Sequence, residues 1–165
     1  MISEKDQYIG IQNGVVLCID EIAAYGQFRG KVYHGYRSSG IELSSYEELI
    51  HVMGRLFDDI QCPRMSIHDR SFVDRPVKMR RRRGRKEKVM TDNELLNKHG
   101  DIGTFIIRVQ QRQNSTWQGR ITWVEENKTI HFRSMLEMIK LIESGLASEN
   151  PEMFDEEPPA WKEEE

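Results

Sequence analysis

The residues best equipped for chemistry are cations. Residues 78 to 88 (KMRRRRGRKEK) set Lys78, Arg80, Arg81, Arg82, Arg83, Arg85, Lys86 and Lys88 against a single acid, a local charge of +7. Groups packed this densely neutralise phosphates and release counterions, giving salt-dependent, sequence-independent affinity for nucleic acid or another polyanion. No aromatic side chain interrupts the run to stack on bases, so a solvated linker between two folded parts fits the same letters. A second group, Arg108, Gln110, Arg112, Gln118, Arg120 and Thr122, falls on alternating positions of two strand-like segments. It is expected on one wet sheet face, either as a basic patch that contacts a ligand or as ordinary solvated surface.

The opposite charge collects at the other end. Residues 149 to 165 (ENPEMFDEEPPAWKEEE) hold eight acids and one base, a local −7, so the overall −3 conceals two opposed segments. Phe154 and Trp161 lie among the carboxylates, a composition that suits docking on a partner, covering the basic run, or a solubilising disordered end.

Enzymatic constellations are missing from the letters. The chain has no GxSxG, Walker or GxGxxG motif. Its histidines (His34, His51, His68, His99, His131) form no HxH, HxxxH or HExxH pair. Asp58, Asp59, His68 and Asp69 offer acid-base or metal chemistry in principle, but an acid pair at a helix end is more simply solvated. Cys18 and Cys62 fit neither a zinc pattern nor a disulfide framework and read as buried thiols. No metal, no cofactor and no catalytic residue is expected. No apolar run approaches the roughly 20 residues that span a bilayer, and the start MISEKDQYIG lacks signal-peptide character, so no membrane contact and a cytoplasmic location are expected.

The elements that must position these groups announce themselves as a repeat. Shifted by 89 residues, Gly26 to Phe57 lies over Ser115 to Leu146 without a gap. Phe28 falls on Trp117, Gly30 on Gly119, Val32 on Ile121, Ile41 on Ile130, Leu43 on Phe132, Ser45 on Ser134 and Glu48 on Glu137. Under the same shift the apolar runs 14 to 20 (GVVLCID) and 103 to 109 (GTFIIRV) add a first strand to each copy. The next strand alternates, with Phe28, Gly30, Val32 and His34 facing one way, as do Trp117, Gly119, Ile121 and Trp123. Such alternation predicts an antiparallel sheet with one buried and one wet face. A third strand covers about 40 to 43 and 128 to 132. Then Ser45 with Glu48, and Ser134 with Glu137, form capping boxes that open two helices. Their apolar stripes, Tyr46, Leu49, Ile50, Met53, Phe57 and Met135, Met138, Ile139, Ile142, Leu146, face the sheet. The helices are expected to end near Asp58 and at Gly145 or shortly after.

Between the copies, residues 60 to 76 read as an extended edge segment. Residues 91 to 99 read as a short helix capped by Thr91 and Glu94 and stopped at Gly100. The expected fold is α+β: two pseudo-repeated βββα units with helices on one face of antiparallel sheet, joined edge to edge or packed as an internal pseudo-dimer. The boundaries are 1–72 for the first repeat and edge segment, 73–90 for the basic flexible linker, 91–148 for the short helix and second repeat, and 149–165 for the acidic disordered tail. Repeats this small bury too little alone and are expected to share a core.

Residues 91 to 146 follow the element order of a double-stranded-RNA-binding domain, a topological likeness only. Their final helix opens on FRSMLE, without the lysine-rich start that such a domain uses on phosphates. The stretch FIIRVQQRQNSTWQGRITWVEENKTIHFRSMLEMIKLI, with its RQNSTWQG and HFRSMLE segments, resembles an uncharacterised bacterial family of gut anaerobes over residues 103 to 146. FRGKVYHGY and DDIQCPRMSIHDRSF resemble it more loosely. The resemblance implies a recurring bacterial cytoplasmic module and assigns no activity. The reading that follows is a non-enzymatic binding or adaptor protein whose partner is a protein or nucleic acid, met through the basic linker. The alternative is a small-ligand or nucleotide sensor with a pocket between the repeats.

Overall fold

The computed structural model describes residues 13–23, 27–65, 70–73 and 87–153. Their order is β1 (Val15–Ile22), β2 (Gln27–His34), β3 (Ile41–Ser45), α1 (Tyr46–Ile60), α2 (Asp92–Leu96), β4 (Gly103–Gln113), β5 (Thr116–Trp123), β6 (Lys128–Phe132) and α3 (Met135–Glu149), closed by a 3-10 turn at Pro151–Met153. All six strands form one antiparallel sheet in the order β3-β2-β1-β4-β5-β6. The edge-to-edge arrangement is therefore the one adopted. The fold is α+β, and among the described residues no helix is long and apolar enough to cross a membrane.

Alternation built the outer strands as expected. Phe28, Val32 and Leu43 from one half, and Trp117, Ile121 and Phe132 from the other, enter a single core beneath α1 and α3. Leu49, Met53, Leu56 and Phe57 descend from α1, and Met138, Ile142 and Leu146 from α3, so the halves do share their interior. Gly30 and Gly119 sit where a neighbouring strand passes closest. A Cβ would run into the Cys18 carbonyl at the first and the Arg108 carbonyl at the second.

Both helix starts follow the capping chemistry. Ser45 and Ser134 have extended backbones at φ −154° and −153°, and their hydroxyls accept from the Glu48 and Glu137 amides. The glutamates then diverge. Glu48 accepts from the Ser44 amide at 2.7 Å, whereas Glu137 is taken by the Arg133 guanidinium at 3.0 Å. α1 ends two residues beyond Asp58, at Ile60, where Gln61 adopts a left-handed conformation. α3 runs four residues past Gly145, to Glu149, because a helical glycine packed against Phe105 need not terminate a helix.

Three further expectations are corrected. The sheet is not wet over one whole face: Met90 and Leu95 cover Val16, Cys18 and Ile106, with Tyr33 packed beside them. VVLCI and FIIRV are continuous apolar runs, the pattern of strands buried on both faces. α2 is capped by Thr91 as expected but closes at Asn97 in ordinary helical conformation, not at Gly100. It lies on the opposite face from α3, so the two helices present no common surface. Finally, the 89-residue shift does not extend into the first strands. Ile19 pairs with Gly30 and Val109 with Gly119, which makes β1 and β4 correspond at 90 residues, because five residues separate the paired Ile22 and Phe28 where four separate Arg112 and Trp117.

Candidate functional site

β4 carries one residue more than β5 can pair. The register breaks between Val109 and Gln111, leaving Gln110 in a bulge, and every later side chain changes face. Arg112 therefore points to the helix side, opposite Trp117, instead of to the wet side with Arg108. Its side chain is only 8% exposed, and it lies over the Phe57 ring, 5.6 Å from the centroid. Nε donates to the Pro63 carbonyl at 2.8 Å and Nη1 to Asp58 Oδ1 at 2.8 Å. The left-handed turn at Gln61 and the cis Cys62–Pro63 bond bring that carbonyl round, and Met65 bridges the Arg112 backbone in parallel. That bridge is the strand pairing made by the described residues of the expected edge segment; residues 66–69 and 74–76 of it lie outside the described residues.

The clasp forms one wall of a cleft of about 340 Å³ between α1 and the β4–β5 hairpin. From α1 come Ile50, His51, Gly54, Arg55 and Asp58, whose spacings of three and four put them on one side of the helix. From the other half come Arg112, Ser115, Thr116, Trp117 and Met135. The hairpin turns through Asn114 and Ser115 at φ 51° and 58°, a pair of left-handed residues that matches the sheet twist. Ser115 is an uncommon residue there, so the turn spends backbone strain to place it at the cleft. Thr116 accepts from the Met135 amide at 3.1 Å and so fixes the start of α3 against the hairpin. Trp117 packs edge-on against Phe57, with centroids 5.3 Å apart, and forms the apolar floor.

The arrangement is amphipathic. Asp58 is engaged by Arg112, while Arg55, exposed at the mouth beside His51, makes no ion pair among the described residues. The cleft thus offers positive charge and hydroxyls over a floor of Trp117, Met135 and Ile50, and its volume is that of a small-molecule site. A second cavity of about 260 Å³, beneath α3 at Phe105, Ile121, Trp123, Ile130 and Leu141, has one cation on its lining, Lys128, whose Nζ stands 6.0 Å from the centre of the Trp123 ring.

Of the basic run, Lys78, Arg80, Arg81, Arg82, Arg83, Arg85 and Lys86 lie outside the described residues. Lys88 is described, and it serves α2: Nζ stands 3.4 Å from Asp92 Oδ1 in that helix's first turn. The acidic tail beyond Met153 is also outside. The expected wet-face patch is brought together only in part. Arg108, Gln118, Arg120 and Thr122 share a face, with Arg108 Nη2 donating to Thr122 Oγ1 at 3.3 Å. Thr122 is buried there against Thr129, their hydroxyls 2.8 Å apart. Gln111, not Gln110, stands opposite Gln118. Arg112 left the patch because of the bulge, which spacing did not reveal.

Trp117 reads from sequence as a core anchor, and it is one, with an edge on the cleft. His51, Gly54 and Arg55 carried no signal, since helix periodicity marks their neighbours and says nothing of what lies opposite. Compared with known families, curated proteins and solved structures, the chain matches no family model, no curated protein and no solved structure.

Proposed function

We propose that this chain is a binding module made of two copies of one βββα unit, and that it holds a small anionic ligand in the cleft between them. Duplication is supported by features that recur at corresponding places: the caps Ser45 and Ser134, the close-packed Gly30 and Gly119, and a bulge in each first strand. Val16 and Ile106 correspond under the 90-residue shift and also pair with each other, as residues on a two-fold axis would. The single observation that carries the ligand reading is the cleft itself. There, α1 of one copy and the hairpin of the other bring Arg55, His51, Ser115 and Thr116 around an apolar floor.

A ligand that binds only the folded chain raises its thermal stability, by about 2.7 kcal/mol at a hundredfold excess over Kd. Scanning a panel of small phosphates, nucleotides and carboxylates by thermal unfolding should find a saturable rise that depends weakly on salt and is lost in Arg55→Ala. A flat response across the panel would overturn the reading.

A second reading rests on the charge of residues 78 to 88, and makes the chain an adaptor for nucleic acid or another polyanion. It is distinguished by salt. Such binding should fall steeply as salt rises, disappear when Arg80 to Arg83 become glutamine, and be indifferent to Arg55→Ala.

A further inference from the structure

We infer that the cleft takes a planar aromatic anion, with its ring over Trp117 and its charged group at Arg55 and His51, and that Gly54 is the residue that admits it. The inference rests on the ligand reading above and adds the chemical class and a specificity-determining position.

Glycine in mid-helix is destabilising relative to alanine. Where a helix keeps one, the usual reason is a neighbour that leaves no room for a Cβ. Gly145 of α3 obeys that rule: a Cβ there would lie 3.3 Å from two atoms of the Phe105 ring and 3.4 Å from Trp123. Gly54 of α1 does not. Its Cβ would meet only Trp117 Cζ2, at 3.7 Å, an ordinary van der Waals contact. Packing of the protein would therefore accept alanine, and α1 would be the more stable for it.

The empty volume lies in the cleft, over the benzo edge of Trp117 and between Ile50, Met65 and Met135. These are apolar neighbours, so the group that uses the space is apolar, and a slot bounded by an indole edge and a helix backbone favours a flat one. Charge sets the other end. Arg55 follows Gly54 directly and His51 precedes it by one turn, so both reach the mouth of the space that Gly54 leaves open. Asp58 offsets Arg112 at 2.8 Å, which leaves Arg55 as the cation available to an incoming anion. At about 340 Å³ the cleft holds a ring with a carboxylate or phosphate, and little more. An aromatic carboxylate and an aromatic phosphate share this chemistry.

The test is calorimetric titration of the full chain with indole-3-acetate and with adenosine monophosphate, which separate the two sources, alongside indole as an uncharged ring. The wild type should bind at least one of the anions. Gly54→Ala should raise the unfolding midpoint by about 2–4 °C, and yet weaken that anion by about tenfold or more, as an extra methyl group in a filled apolar slot does. Gly54→Leu should abolish binding with an unchanged circular-dichroism spectrum. Arg55→Gln should weaken the anion and leave indole unaffected. If the anion binds and both Gly54 variants hold it as tightly as the wild type, the space is not used and this inference falls, while the cleft reading stands. If Arg55→Gln lowers the two affinities alike, the assignment of the charged end falls. A wild type that binds none of these probes, but binds other anions of the wider panel, overturns the aromatic class alone. Silence across the whole panel overturns the cleft reading as well.

Discussion

Gln110, one inserted residue in β4, decides which way Arg112 points and so supplies the bolt between the two halves. Asp58 is 40% exposed, which keeps the Coulombic share of the bolt small. The larger share is the stem over Phe57 and the Pro63 carbonyl, which would lose its donor. Arg112→Ala should lower stability by about 2–3 kcal/mol in urea unfolding, and Asp58→Asn by no more than about 1 kcal/mol. Equal effects would show that the ion pair dominates. Cys18 makes a second prediction at this scale. Burial above all, then the Asp20 and Glu125 carboxylates, push its thiol from 9.0 up to about 12. At pH 8 an alkylating reagent should modify the native chain at Cys62 and reach Cys18 only on unfolding. The raised value favours the folded state while both states are protonated. Above about pH 9 the unfolded thiol ionises first, so this contribution shrinks and is lost as pH rises towards 12.

The elements show where sequence reading succeeds. Strand alternation and serine caps are local physics, so β2, β5, α1 and α3 are legible in the amino-acid letters alone, down to the caps at Ser45 and Ser134. Either serine changed to alanine should cost about 1 kcal/mol by denaturant unfolding. A difference between them would measure what Glu48 adds by reaching Ser44 while Glu137 binds Arg133. Gly30→Ala and Gly119→Ala should be far worse, at about 3 kcal/mol or more, because a backbone carbonyl cannot move aside without breaking its ladder. The second core over Val16, Cys18 and Ile106 is legible in principle, since their unbroken apolar runs call for cover on both faces. The bulge is not. Both first strands carry one at corresponding places, so laying one half over the other does not reveal it, and the change of shift from 89 to 90 records only the longer β1–β2 connection. The cleft is beyond reach for another reason. Gly54 and Trp117 belong to different halves, and nothing local records that a helix of one faces a hairpin of the other.

At the scale of the molecule, one antiparallel ladder, β1 on β4, carries the continuity of the sheet from half to half, with α2 lying across it on one face and the shared core on the other. Each half makes its remaining ladders within itself, β1 with β2 with β3 and β4 with β5 with β6. Those pairings close short loops, whereas joining Val15 to Ile107 closes a long one. The seam is thus an interface that happens to be tethered, and the covalent link acts by setting an effective concentration. A chain cut between residues 74 and 86 should keep its circular-dichroism spectrum when the fragments are mixed. Its midpoint of unfolding should now rise with protein concentration, where the intact chain shows no such dependence. The same property gives the seam a partner problem: the β1 edge of one molecule fits the β4 edge of another as well as its own. Fidelity of assembly then rests on dilution and on the speed of closure, and concentrated refolding should yield exchanged dimers that carry two complete clefts, each built from two chains.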